Sequence, residues 1–393
     1  MKVALLILTA LSAYSTTNST GLRGASNCFG LRLLPVLPRP KAAPNVFYSP
    51  YSLSAAMGMI YAGSRGRTQE ELYSVLGYKS AHIAKDRVLE EHGIYAQNLF
   101  PPNHTMVSKR NAAVLSQSFE FLGDYVDDLR NAFDAHIMNV DFHKDGSSVV
   151  RDINRWISRE TRGYIKHLFR SPFPRSTKLV LLNIIYFKGI WKTRFDKSET
   201  TKLPFFNDGK TKVPVDMMCG RMNASHGYSD ELSSEILDLP FEGGDYSMTI
   251  ILPLHRRGVK NLRHLSPRSL RAALHSLSTR IVKVYLPRFN FTTKYFLREE
   301  FAKLGLTRVF DAHKADLSGM TGHGCDRLHV DEVVHKAVIH VDESGATAAA
   351  VTGTTVQKSH SIPHVFRARH PFLFLIRKSN DNSILFVGEV NRL

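Results

Sequence analysis

Residues Val341 to His364 read VDESGATAAAVTGTTVQKSHSIPH, a run of small, polar and mostly uncharged residues set just ahead of the last apolar segments of the chain. A linker of that composition would join two domains, yet only about thirty residues follow it. In strand alternation Ala346, Ala348, Ala350, Thr352, Thr354 and Val356 share one face, and each is small or β-branched. The other face carries Thr347, Ala349, Val351, Gly353, Thr355 and Gln357, also uncharged, and no proline stands between Val341 and Ile362. A charge or a proline would bar a segment from the middle of a sheet, through an unpaired buried charge or a broken ladder. This segment has the chemistry of a strand that can be buried on both faces, with enough Gly, Ala and Thr to stay an exposed loop. Composition alone favours an idle surface loop, so the flanking sequence decides.

Downstream, PFLFLIRKSNDNSILFVGEV (371–390) reads as two strands joined at Asn380, Asp381 and Asn382. Upstream, KLVLLNIIYFKG from Lys178, YSMTIILP from Tyr246 and IVKVYLPRFNFTTKY from Ile281 are apolar runs rich in branched and aromatic residues, which predicts strands. Nearer the N-terminus, Ser49 and Pro50 predict a helix running through Met57 and Tyr61 to Gly63. Thr68 with Glu71 three residues on predicts a capping box that opens a second helix. The amphipathic stretch VVRDINRWISRETRGYIKHLF (149–169) extends this helical first half. Helices first and strands later, with no linker between them, predict an α+β fold.

The chain has 393 residues, 43% hydrophobic and 22% charged, enough for an extensive core. Lys2, the apolar run Val3–Leu11 and the small residues near Ser15 predict a secretory signal over 1–15, leaving 16–393 as one domain. No later apolar run reaches the length of a membrane span, so the expected product is a secreted, extracellular monomer. Cys28, Cys219 and Cys325 are too few for a disulfide framework. Sequons at Asn18, Asn103, Asn223 and Asn290 are candidate glycosylation sites. The histidines show no HExxH spacing, the cysteines are unpaired in sequence, and no Gly-x-Ser-x-Gly or phosphate loop occurs, so neither a metal site nor an enzyme is expected.

Between Tyr246 and Leu297 there is no Asp or Glu, while Arg256, Arg257, Lys260, Arg263, Arg268, Arg271, Arg280, Lys283, Arg288 and Lys294 carry much of the net charge of +17. Ser266 and Pro267 predict a short helix whose Leu270, Leu274 and Leu277 face the core while Arg268, Arg271 and His275 share another face. For a secreted chain the expected polyanion is a heparin-like glycosaminoglycan, with Arg256, Arg257, Lys260, Arg263, Arg268 and Arg271 as candidate contacts. A solvated basic surface is the alternative. No nucleic-acid-binding module is present.

NVFYSPYSLSAAMGMIYAGSRGRTQEEL (45–72), INRWISRETRGYI (153–165), LVLLNIIYFKGIWKTRF (179–195), LHVDEVVHKAVIHVDESGATAAAVT (328–352) and FRARHPFLFLIRKSNDNSILFVGEV (366–390) together resemble, in order, the serpin family, in particular its secreted, inhibitory, arthropod or tick-like members. The resemblance implies three β-sheets with eight to nine helices and an exposed reactive centre loop at about 343–366. It implies a suicide substrate for serine proteases that needs no cofactor: the protease cleaves the loop, and the loop inserts into the main sheet before the acyl-enzyme is hydrolysed. By similarity Glu343, Ser344, Gly345, Ala346, Thr347, Ala348, Ala349, Ala350 and Val351 form the hinge, and Ser49, Ser52, Asn183 and His335 form the shutter beneath the main sheet. The chain departs from the family pattern at Ala346, Thr347 and Val351, and also at His340 and Ile184; the bulk of Val351 is expected to slow insertion.

The usual count from Glu343 puts the scissile bond after Ser359, before His360, which suits an elastase-like protease. Lys358 is the only cation between Gly345 and Val365, and a trypsin-like protease would cut after it. Two other functions stay open: a non-inhibitory serpin acting as carrier, chaperone or store, and a glycosaminoglycan-binding protein whose loop is incidental.

Overall fold

The computed structural model describes residues 21–42, 44–101, 106–143, 146–161, 163, 165–322, 328–345 and 363–393. In chain order they form α1 (Gly21–Leu33), β1 (Val46–Tyr48), α2 (Pro50–Gly63), α3 (Gly66–Val75), α4 (Val88–Leu99), β2 (Val107–Ser116), α5 (Gly123–Phe133), β3 (Ala135–Val140) and α6 (Gly146–Glu160). There follow β4 (Leu179–Phe187), β5 (Thr201–Asn207), β6 (Thr211–Ser229), β7 (Ser234–Pro240), β8 (Tyr246–Pro253), α7 (Pro267–His275), β9 (Ser278–Pro287) and β10 (Phe289–Phe296). The chain closes with α8 (Arg298–Lys303), α9 (Ser318–Thr321), β11 (Glu332–Val341), β12 (His364–Arg367), β13 (Phe372–Lys378) and β14 (Ile384–Val390).

The helix start predicted at Ser49 is present: its hydroxyl accepts the Ser52 N–H at 3.2 Å, Pro50 sits in the first turn, and α2 ends at Gly63. The capping box at Thr68 is not. Helix α3 has already begun at Gly66, and both side chains serve distant backbone instead. Thr68 Oγ1 accepts the Asp316 N–H at 2.9 Å, and the Glu71 carboxylate accepts those of Thr307 and Arg308 at 2.6 and 2.8 Å. Helix α6 stops at Glu160, short of the predicted Phe169. Thr161 bonds back to the Ile157 carbonyl, Gly163 takes φ +78°, and Asn154 Oδ1 collects the N–H groups of Leu168 and Phe169. Strands β2 and β3 interrupt the helical first half; Lys109, Arg110 and Asn111 had masked the strand pattern of β2.

The described strands make a five-stranded sheet, ordered β10-β11-β4-β2-β3, and a nine-stranded path, β1-β14-β13-β8-β7-β6-β9-β12 with β5 on β6. Two of the three expected sheets run together in that path because β6 spans 19 residues: its early part pairs with β5 and β9, its end with β7. The five-stranded sheet is covered on both faces. Val180, Leu182, Ile184 and Val334 pack under Val150, Ile153 and Ile157 of α6, whereas Leu179, Leu181, Ile185, Val333 and Ala337 face the main core with α2 and the larger sheet. At the core's edge the buried Glu389 of β14 takes Arg39 at 2.8 Å and Arg263 at 2.6 Å.

Candidate functional site

Strands β4 and β11 are adjacent and parallel, in register from Val180 against Glu332 to Tyr186 against Val338. Every other neighbour of these two strands is antiparallel. Register also sets Asn111, Asn183, His335 and Tyr295 in one row across β2, β4, β11 and β10. The row sits on the core face, against the start of α2. The Ser49 N–H donates to His335 Nε2 at 3.2 Å, and His335 Nδ1 lies 2.6 Å from Asn183 Oδ1. Asn183 Nδ2 donates to Asn111 Oδ1 at 2.8 Å, and Asn111 Nδ2 to the Phe133 carbonyl at 2.9 Å.

Accepting at Nε2 fixes the tautomer: the His335 proton is on Nδ1, donated to Asn183. Burial without a counter-charge pushes the His335 pKa down to about 3, so the ring stays neutral. Three of the four shutter residues expected from sequence thus meet in one chain of hydrogen bonds. The fourth, Ser52, joins through its backbone N–H on Ser49, while its hydroxyl has no partner. Asn111 was missed; a lone amide in the apolar run AAVLS and its register mate Asn183 were the available signal.

Beyond Val341 the chain turns sharply out of the sheet. Asp342 and Gly345 exchange backbone hydrogen bonds at 3.1 Å, and the Ser344 N–H donates to Asp342 Oδ1 at 2.8 Å. Gly345 takes φ +112°, and a Cβ there would lie 2.4 Å from the Gly189 carbonyl oxygen. The turn is fastened to the segment after β4. Trp191 donates its N–H to the Ser344 carbonyl at 3.1 Å and its Nε1–H to that of Asp342 at 2.9 Å; the Phe195 N–H donates to the Glu343 carbonyl at 3.0 Å. The Glu343 side chain, 3% exposed, accepts from Thr200 Oγ1 at 2.7 Å with Arg288 at 3.7 Å. His340 stands 3.2 Å from Asp342 Oδ2. Trp191, Thr200 and Arg288 were not predicted from sequence.

The hinge residues Ala346, Thr347, Ala348, Ala349, Ala350 and Val351, and the reactive-bond candidates Lys358, Ser359 and His360, lie outside the described residues, as do Asn18, Asn103 and Cys325. Asn223 on β6 and Asn290 on β10 are exposed. Cys28 is half-buried and Cys219 buried, both as thiols; burial pushes the Cys28 thiol up against the opposing pull of Arg32. Of the basic candidates, Arg256, Arg257, Lys260, Arg268 and Arg271 are exposed. Arg256 stacks 3.8 Å over the Phe206 ring. Arg263 does not belong to that face: Glu389, buried by β14, would be an unpaired carboxylate without Arg39 and Arg263.

The family model described as Serpin (serine protease inhibitor) matches residues 24–393. The chain belongs to the serpin family. Iripin-3 of Ixodes ricinus is 40% identical over 100% of both chains, and Intracellular coagulation inhibitor 2 of Tachypleus tridentatus is 35% identical over 95% of this chain and 91% of that one. The solved structure of native protease nexin-1 with heparin aligns with TM-score 0.84 and 27% identity, covering 95% of this serpin and 99% of that chain. This serpin is a serine protease inhibitor rather than an enzyme. No helix among the described residues is long and apolar enough to cross a membrane.

Proposed function

We propose that this serpin is a secreted suicide substrate whose cleaved loop enters the five-stranded sheet between β4 and β11. The parallel pair at that seam is the observation that carries the reading. A strand turning back from the end of β11 runs antiparallel to both β11 and β4, so its entry exchanges one parallel ladder for two antiparallel ones and buries the small alternating faces of the loop. The turn at Asp342–Gly345 is the pivot. Its ties to Trp191, Phe195 and Thr200 hold the stem at the mouth of the seam until cleavage frees the far end. The Asn183–His335 bond is the latch across the same seam, because it joins the two strands that must part. Trapping of the acyl-enzyme then depends on insertion outrunning its hydrolysis.

The target is a trypsin-like protease if the bond after Lys358 is cut, and an elastase-like one if the bond after Ser359 is cut. Purified protein incubated separately with trypsin and an elastase, followed by denaturing gels and intact mass, tests this. An SDS-stable complex with a released peptide beginning at Ser359 or His360 supports the reading and fixes the bond. Loop cleavage without a complex refutes trapping and favours a carrier or storage role. A heparin-like glycosaminoglycan is the proposed modulator, supported by the exposure of Arg257, Lys260, Arg268 and Arg271 and the absence of acidic residues from 246 to 297. Unchanged affinity for heparin-agarose after neutralising Arg268 and Arg271 would remove that proposal.

A further inference from the structure

Three side chains away from the seam converge on one point: His226 on β6, Glu235 on β7 and His364, which the loop was expected to include but which is the first residue of β12. His226 Nε2 and His364 Nε2 each lie 2.8 Å from Glu235 Oε1, and the three ligand-type atoms all fall within 4.8 Å of one another. The two imidazole centroids are 4.1 Å apart. His226 is fully buried, which fixes its ring, and its Nδ1 has no hydrogen-bond partner. Glu235 is 14% exposed and His364 32%, so the cluster opens to water on one side. The Tyr228 phenol oxygen stands on that side, 3.4 Å from His364 Nε2.

We propose that His226, Glu235 and His364 bind a transition-metal ion of the zinc class, which fastens the strand leaving the reactive loop to β6 and β7. Two imidazoles and one carboxylate are a zinc-type donor set, with a water or the Tyr228 phenol for the fourth position; calcium and magnesium would require more oxygens. Ligand bonds of about 2.0–2.2 Å in a tetrahedron need ligand atoms roughly 3.4 Å apart, so the 2.8 Å contacts open by only about half an ångström. Each ring then carries its proton on Nδ1 and turns the Nε2 lone pair to the ion. Arg280 lies on the neighbouring strand β9, paired with Ala224 of β6. It is exposed and turns to Ser278, so it does not occupy the ligand position.

The ion would matter because β12 is held weakly. Among the described strands it is an edge strand, paired only with β9 over His364–Arg367. A metal bond at its first residue would resist peeling of this strand when a protease pulls on the loop.

The test uses the full chain, stripped with a chelator and titrated at pH 7.5 with zinc alone against a chromophoric zinc indicator, with hydrogen exchange read at residues 364–367. One equivalent is expected to bind, with at least tenfold slower exchange in β12. His364→Ala and Glu235→Gln are each expected to weaken zinc at least tenfold and to abolish the added protection; both positions border solvent, and circular dichroism verifies their fold. Three results would overturn the proposal: no stoichiometric binding, binding of equal strength in both variants, or binding that leaves exchange at 364–367 unchanged.

Discussion

Replacing His335 by alanine removes a side chain that bridges β11 to both β4 and the start of α2. The Ser49 N–H and Asn183 Oδ1 are left buried without partners, at about 1–3 kcal/mol each. Opening the seam for a further strand moves β4 and β11 from about 4.8 to about 9.6 Å apart, which breaks the Asn183–His335 bond in the wild type as well. The variant therefore loses stability in the closed sheet and recovers much of it on opening. The barrier to spontaneous opening should fall by about 2–4 kcal/mol, a rate increase of roughly 30- to 900-fold. The assay is loss of native monomer at 45 °C, followed by native gels and size exclusion, with conversion to inserted or polymeric forms as the readout. Asn111→Ala is the internal control, because the Asn111–Asn183 bond lies wholly on one side of the seam and need not break on opening. It should lower the melting temperature yet accelerate conversion less than about fivefold. The exposed His313→Ala sets the baseline. If His335→Ala keeps its monomer with a half-life within threefold of that baseline, or if Asn111→Ala accelerates conversion equally, the seam is not latched by this bond.

Acidification should weaken the same latch. The His335 and His92 pKa values are both pushed by burial from 6.5 to about 3, so between those pH values the unfolded chain binds protons that the folded chain refuses. Their contribution is complete above pH 6.5 and declines as pH falls toward 3, by about 2 kcal/mol per histidine at pH 5; urea unfolding that is unchanged between pH 7.5 and 5 would contradict this. Glu389→Ala strands Arg39 and Arg263 against the core and should cost about 3–5 kcal/mol, lowering the thermal midpoint by about 5 °C. A midpoint unchanged within error would mean that this pair does not hold the edge of the core. Gly345→Val forces a side chain at φ +112° into the Gly189 carbonyl. It should release the stem turn, seen as faster exchange of the Trp191 and Phe195 amides; unaltered exchange would show that the turn tolerates the side chain.

Much of this protein was legible in one dimension. Proline at Pro50 and the Ser49 cap fixed a helix start because local bonds decide such ends, and the long apolar runs fixed β4, β8, β13 and β14 because burial on both faces leaves no other composition. Local pattern failed where a side chain's partner lay far along the chain. Thr68 and Glu71 look like a cap in sequence but serve backbone near residues 307–316. Arg263 looks like part of a basic surface but answers a buried carboxylate 126 positions away. The family resemblance pointed to Asn183 and His335; it took the register of β2, β4 and β11 to add Asn111, orient the imidazole and set the latch across a parallel seam. The His226, Glu235 and His364 cluster was beyond any spacing rule, since its ligand atoms meet through three strands, with Glu235 and His364 alone 129 positions apart. Sequence by itself determined which segments could be strands, helices and an insertable loop, because those properties depend on periodicity and residue size. Tertiary structure alone decided which polar groups meet, because hydrogen bonds and ion pairs are set by distances of about 3 Å that only the packed chain defines.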